Sequence, residues 1–220
     1  PFNELYHSLG DGYFEEVTFD FPMGEPLPQN FQGQWVDFNE DGLLDLNLIR
    51  DRLCFENKYY KQTQDGDFFN DAHNMGLDYS INAMCTSTTD FDRDDDQDLY
   101  ISAGMFEGNH FVVNDGTGVF ELYDSEVGDS VLVNLTSWAG TWLDMDNDGW
   151  EDLHVCTGFS TYTNWPAVFL TYPYVPDNFF YNEGGVFFED TTGFFDTEAL
   201  SFSAATGDYN LDGFPDLVNN

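Results

Sequence analysis

The nine residues "DMDNDGWED", Asp144 to Asp152, place an acid at positions 1, 3, 5 and 9 and a glycine at position 6. Carboxylates crowded this closely repel one another, so the arrangement needs a cause. A hard cation supplies one, because Ca²⁺ takes roughly six to eight oxygen ligands and a tight loop can offer them from alternate side chains plus a backbone carbonyl. A solvated acidic turn is the competing reading, and a single copy would not separate the two. The chain holds four: "DFNEDGLLD" (Asp37 to Asp45), "DFDRDDDQD" (Asp90 to Asp98), "DMDNDGWED", and "DYNLDGFPD" (Asp208 to Asp216). Their first aspartates stand 53, 54 and 64 residues apart, which sets a repeating unit of the size of a propeller blade or a solenoid turn.

Each acidic loop leads into alternating apolar residues: "DLNLI" from Asp45, "DLYIS" from Asp98, "DLHVC" from Asp152 and "DLV" from Asp216. Period two predicts a strand, with Leu46 and Leu48, Leu99 and Ile101, and Leu153 and Val155 on its buried face. Small and β-branched residues ("GQWV", "TSTT", "AGTWL", "SAATG") precede each loop, so the loop joins two strands. A second signature lies between the loops: an aromatic strand, a Gly/Asp/Asn turn and another aromatic strand, around Phe14, Phe69, Phe120 and Phe188. That is a hairpin. Each unit then holds about four short antiparallel strands. An EF-hand is excluded because position 12, which must be a bidentate glutamate, is Leu48, Ile101 or Val155.

The alternation of N-x-G-x-F hairpins with D-x-D-x-D-G-x-x-D loops resembles the FG-GAP/VCBS repeat family, the calcium-loop blades of integrin-α-type propellers, over essentially the whole chain. The resemblance implies an all-β propeller with units near 35–87, 88–141 and 142–205, and a fourth made of 206–220 with 1–34. Residues 1–13 and the 12 residues after Asp208 are complementary in length, which suits a four-bladed ring closed by pairing the two ends; the family's usual seven or so blades suit a piece of a larger propeller, as does a start at Pro1. Two departures stand out. Asp95 replaces the loop glycine, which aspartate tolerates in a left-handed conformation at some cost, and the third unit is longer than the others.

The resemblance also implies a ligand set for each loop: side chains at positions 1, 3, 5 and 9 and the carbonyl of position 7. These are Asp37, Asn39, Asp41, Asp45 and the Leu43 carbonyl; Asp90, Asp92, Asp94, Asp98 and the Asp96 carbonyl; Asp144, Asp146, Asp148, Asp152 and the Trp150 carbonyl; and Asp208, Asn210, Asp212, Asp216 and the Phe214 carbonyl. Every donor is oxygen, which favours Ca²⁺ over zinc or copper. The expectation is about four structural ions, bound as the chain folds.

Composition bounds the rest. With 42 acids against five bases the net charge is −37, and all five bases lie between Arg50 and Arg93. Such a chain repels nucleic-acid backbones and anionic membranes. Four Ca²⁺ would reduce the charge only to −29, and the remaining excess suits a saline exterior. At 41% hydrophobic residues the chain should fold despite its charge. No apolar run is long enough to span a bilayer, and no leader is visible. Cys54, Cys85 and Cys156 are too few for a disulfide framework; buried thiols are favoured over a single bridge. Asn134-Leu135-Thr136 is a glycosylation acceptor pattern if the source is a eukaryotic secretory pathway.

The excess length of the third unit falls on Ser160 to Asn178, which carries Tyr162, Trp165, Tyr172 and Tyr174 among three prolines. Aromatics on a stiffened loop offer stacking faces for a sugar or a protein partner; equally, they could cover a neighbouring blade. His7, His73, His110 and His154 are scattered, and no nucleophile elbow, zincin or phosphate-loop motif is present. The leading expectation is an extracellular or cell-surface calcium-stabilised propeller that binds a protein or glycan ligand or self-assembles. The alternative is the propeller of a secreted polysaccharide-active enzyme such as a lyase.

Overall fold

The computed structural model describes residues 4–18, 30–51, 53–104, 108–123, 136–158, 175–194 and 201–220. Among these every regular element is a strand, and no α-helix occurs. Three antiparallel sheets have four strands each: β3 (Asn30–Val36), β4 (Asp45–Arg50), β5 (Lys58–Gln62) and β6 (Phe68–Asn70); β7 (Ala83–Thr89), β8 (Asp98–Ala103), β9 (His110–Asn114) and β10 (Phe120–Leu122); β11 (Ser137–Leu143), β12 (Asp152–Thr157), β13 (Asn178–Asn182) and β14 (Phe187–Glu189). In each the strands pair in chain order. The acidic loop joins the first strand to the second, so each sheet begins about seven residues before its loop. The same register slip recurs early in each first strand, between Asn30 and Gln32, Ala83 and Cys85, and Ser137 and Ala139.

Two hairpins flank the sheets: β1 (Tyr6–Gly10) with β2 (Tyr13–Glu16), and β15 (Ala204–Gly207) with β16 (Asp216–Asn219). They form separate two-stranded sheets. Among the described residues no strand pairing joins the two ends, as a four-bladed ring would need. Instead Leu5, at the mouth of the first hairpin, packs on Leu46, Leu48 and Tyr60 of the first sheet, and β15 lies beside β11 of the third.

Alternation predicts one buried face for the second strands, and the structure buries both. Every residue of β4, β8 and β12 is buried. The reason is that the sheets stack, so a second strand has a neighbour on each side. Leu99 and Ile101 meet Val36, Phe38, Ile49 and Tyr59 of the first sheet. Tyr100, pointing the other way, meets Leu153, Val155, Phe180 and Phe187 of the third. First strands run side by side from β3 to β7 to β11, tied by Gln34 Nε2 to Thr88 Oγ1 at 3.1 Å and Trp142 Nε1 to Ser87 Oγ at 3.1 Å. The approach leaves no room at Gly140, where a Cβ would lie 2.5 and 2.7 Å from two Tyr100 ring atoms. Gly140→Val should therefore lower stability by about 1–3 kcal/mol through overpacking. An unchanged denaturant midpoint would show that the sheets are not stacked this tightly.

The hairpin aromatics also need one adjustment. Phe120 pairs with Asn114 and is buried, and its register equivalents are Phe68, opposite Gln62, and Phe187, opposite Asn182. Phe69 and Phe188 are exposed. In a Phe-Phe pair only one ring can face the core, and the turn decides which. The three cysteines are free: Cys54 exposed, Cys85 half-buried and Cys156 buried.

Candidate metal centre

All four acidic loops adopt one backbone. Position 4 is left-handed in each, at Glu40 (φ 54°), Arg93 (62°), Asn147 (60°) and Leu211 (61°), and position 6 again, at Gly42, Asp95, Gly149 and Gly213. Asp95, at φ 76°, takes the conformation expected of the glycine it replaces. The side chains at positions 1 and 5 hold the turn. The amide of position 5 donates to the first aspartate's Oδ1 at 3.0–3.1 Å in all four loops. The amide of position 7 (Leu43, Asp96, Trp150, Phe214) donates to the carboxylate at position 5.

In two of the loops the carboxylates converge. In the second loop one oxygen each from Asp90, Asp92 and Asp94 lie within 4.8 Å of one another, and in the third one each from Asp144, Asp146 and Asp148. The first and fourth loops put Asn39 and Asn210 at position 3, where their Oδ1 atoms accept the amide of position 5 at 3.1 and 2.8 Å. Position 9 is the first residue of each second strand: Asp45, Asp98 and Asp152 are buried, and Asp216 is half-buried. The Oδ1 of each buried aspartate accepts the amide that ends the third strand, from Gln62, Asn114 and Asn182 respectively.

Burial outweighs the little positive charge near these acids, such as Lys61 beside Asp45. Burial pushes the Asp98 carboxyl up to about 8, against the Asn114 amide, and Asp92 and Asp96 add to the rise. Burial likewise pushes Asp96 up to about 6, with Asp94 and Asp92 adding, and Asp152 up to about 6, despite amides from Asn182 and Met145. Asp45 is also raised by burial, although Tyr59 Oη donates to it. Three oxygens of the second loop, Asp92 Oδ1, Asp96 Oδ1 and Asp98 Oδ2, are buried with no hydrogen bond of ordinary geometry, although the Phe91 amide is near enough to Asp98 to offset part of its rise. An unpartnered buried carboxylate oxygen costs several times what an ordinary hydrogen bond contributes. A divalent cation bound by oxygens is the kind of partner that buried carboxylates of this sort call for.

The sequence pattern finds the loops but not what encloses them. Asn114 donates from Nδ2 to the Phe38 carbonyl of the preceding sheet's loop at 2.9 Å, and Asn182 does the same to Phe91 at 2.8 Å. Each hairpin asparagine therefore clamps the loop before it, and Gly118 and Gly185 let the turn approach Asn39 and Asp92. Arg93 lies over the Trp150 ring at 5.1 Å, and Asn147 Nδ2 donates to the Gly213 carbonyl at 2.8 Å, so neighbouring loops touch. The Asp96 side chain, expected only for its carbonyl, is buried. The aromatic candidates Tyr162, Trp165, Tyr172 and Tyr174, and Asn134, lie outside the described residues.

No family model and no curated protein matches the chain. Among solved structures it is similar to a lectin from Agrocybe aegerita described as recognising non-reducing terminal N-acetylglucosamine. The TM-score is 0.45 with 18% identity, covering 84% of this chain and 44% of the lectin. The chain thus spans less than half of that lectin's length.

Proposed function

We propose that the chain is a calcium-stabilised repeat scaffold of the propeller type, working outside the cell as a binding module for a protein or glycan partner. The observation that carries the reading is the trio of buried, unpartnered carboxylate oxygens in the second loop. Positions 1, 3, 5 and 9 of each loop would hold the ion, joined in the second loop by Asp96. A bound Ca²⁺ supplies the positive charge that lets these acids ionise together while buried. The chain's own residues supply the cage: amide bonds fix the carboxylates, and the hairpin asparagines hold each loop against the next sheet. An all-oxygen set of this size fits calcium better than Mg²⁺, which keeps most of its water, or zinc. Sites built this way suit an exterior rich in calcium.

Calorimetric titration of the chelator-stripped protein tests the ion directly. It should show about four sites per chain, one for each loop. Absence of heat or of binding would overturn the calcium reading. The binding role is tested on a glycan array and by protein capture, with Ca²⁺ and with EDTA. Retention that needs calcium supports a binding module; reducing ends or unsaturated products accumulating from a polysaccharide would identify an enzyme instead.

A further inference from the structure

The third sheet carries a second kind of ligand cluster, separate from the acidic loops. One ligand atom each from His154, Cys156 and Asp177 lies within 4.8 Å of the others, and all three residues are buried. His154 Nδ1 is 3.9 Å from Cys156 Sγ, and its Nε2 is 3.4 Å from Asp177 Oδ2. The imidazole thus meets the thiol through Nδ1 and the carboxylate through Nε2, on the face of β12 turned away from the second sheet, whose neighbours on β12 are Leu153 and Val155; a single ion takes only one of these nitrogens, so Asp177 would reach it by leaving the other.

The repeat provides its own control. Asp45, Asp98 and Asp152 open β4, β8 and β12, so His154 occupies the place of Asn47 and Tyr100, and Cys156 that of Ile49 and Ser102. Asp177 matches Asn57 and Asn109, since each accepts the amide near the end of the second strand, from Arg50, Ala103 and Thr157. In the second sheet a neutral set fills this space: Asn109 donates to Tyr100 Oη at 2.7 Å and to Ser137 Oγ at 3.0 Å. An asparagine is therefore enough for the structural task. Only in the third sheet do all three places change together, into nitrogen, sulfur and oxygen ligands.

We propose that His154, Cys156 and Asp177 form a site for one borderline-soft divalent ion of the zinc class. Imidazole, thiolate and carboxylate are the donors such ions take in tetrahedral sites, whereas calcium takes oxygen alone. The carboxylate is already held in place: Thr157 N donates to Asp177 Oδ1 at 2.9 Å and Asn219 Nδ2 to Oδ2 at 2.8 Å. Outer partners of this kind fix a ligand's orientation. In the ion-free protein Cys156 is a free, buried thiol that carries its proton. Binding would form the metal–sulfur bond and release that proton to solvent. The ion would join β12, the entry to β13 and, through Asn219, the final strand β16.

The test uses Co²⁺ as a spectroscopic stand-in for zinc, added while the calcium-saturated protein refolds. About one Co²⁺ per chain should bind with a thiolate-to-cobalt charge-transfer band, and zinc should displace it. The variant His154→Tyr/Cys156→Ser/Asp177→Asn installs the second sheet's own residues and should fold, judged by its circular dichroism, with no band. Cys54→Ser and Cys85→Ser should keep the band. Loss of Asn219's support in Asn219→Ala should weaken cobalt about 10–100-fold. No band in the wild type, or a band that survives Cys156→Ser, overturns the proposal, and does so whatever the acidic loops bind.

Discussion

Excess EDTA should lower the melting temperature of the calcium-supplied protein by more than about 10 °C, the drop expected from even one well-filled site. A ligand at about a thousand times its dissociation constant stabilises the state that binds it by about 4 kcal/mol per site. In a chain of this size each kcal/mol moves the midpoint by roughly 2–4 °C. Four loops share one backbone and one bonding scheme, so several sites should contribute. The loss should be greatest at the second loop, where the unpartnered oxygens are buried, and least at the fourth, whose acids are exposed or half-buried. Scanning calorimetry with and without chelator measures it, with Mg²⁺ at the same ionic strength as the control for screening. Equal melts in calcium and in EDTA would mean that the loops hold the fold without an ion.

The loops were legible because their chemistry is local: oxygens must alternate through a turn, and glycine marks position 6. The left-handed position 4 was not, since Glu40, Arg93, Asn147 and Leu211 share no side-chain property. Their conformation is imposed by amide bonds to the aspartates on either side. Strand alternation placed Leu99 and Leu153 in the core correctly and matched His154 with Asn47 and Tyr100 as a packing position, but gave nothing for it to pack against. Their burial comes from the next sheet in the stack, a contact between residues far apart in the chain. The four-strand unit was legible as well, while the choice between Phe68 and Phe69, or Phe187 and Phe188, depended on pairing with Gln62 and Asn182 across the turn. Asp177 became readable only once the sheets aligned it with Asn57 and Asn109. The segments leading to it differ in length, so spacing alone could not show the match.

Asp98→Asn should reverse its effect on stability according to whether calcium is present. Asp98 is fully buried, accepts the Asn114 amide and shares its loop with Asp92 and Asp96. In the ion-free protein its carboxyl titrates at about 8, raised first by burial. A folded-state value above the ordinary carboxylate value of 3.8 means that the native state holds the proton more tightly than the unfolded chain. The stabilisation from that proton is complete below the unfolded value and disappears as pH rises through about 8. Ion-free wild type should therefore lose stability from pH 5 to pH 8, and Asp98→Asn, which cannot ionise, should flatten that slope and be the more stable of the two at pH 8. With calcium the order should reverse: on the proposed reading the wild-type carboxylate would be a ligand, acid would weaken the ion's hold, and Asp98→Asn should cost roughly 3 kcal/mol, the scale of removing one partner from a buried charge pair. Denaturant titrations of both proteins at the two pH values, with Ca²⁺ and with EDTA, give the four comparisons needed. If Asp98→Asn were destabilising to the same extent in all of them, Asp98 would be a plain hydrogen-bond acceptor and the second loop would have no need of a cation.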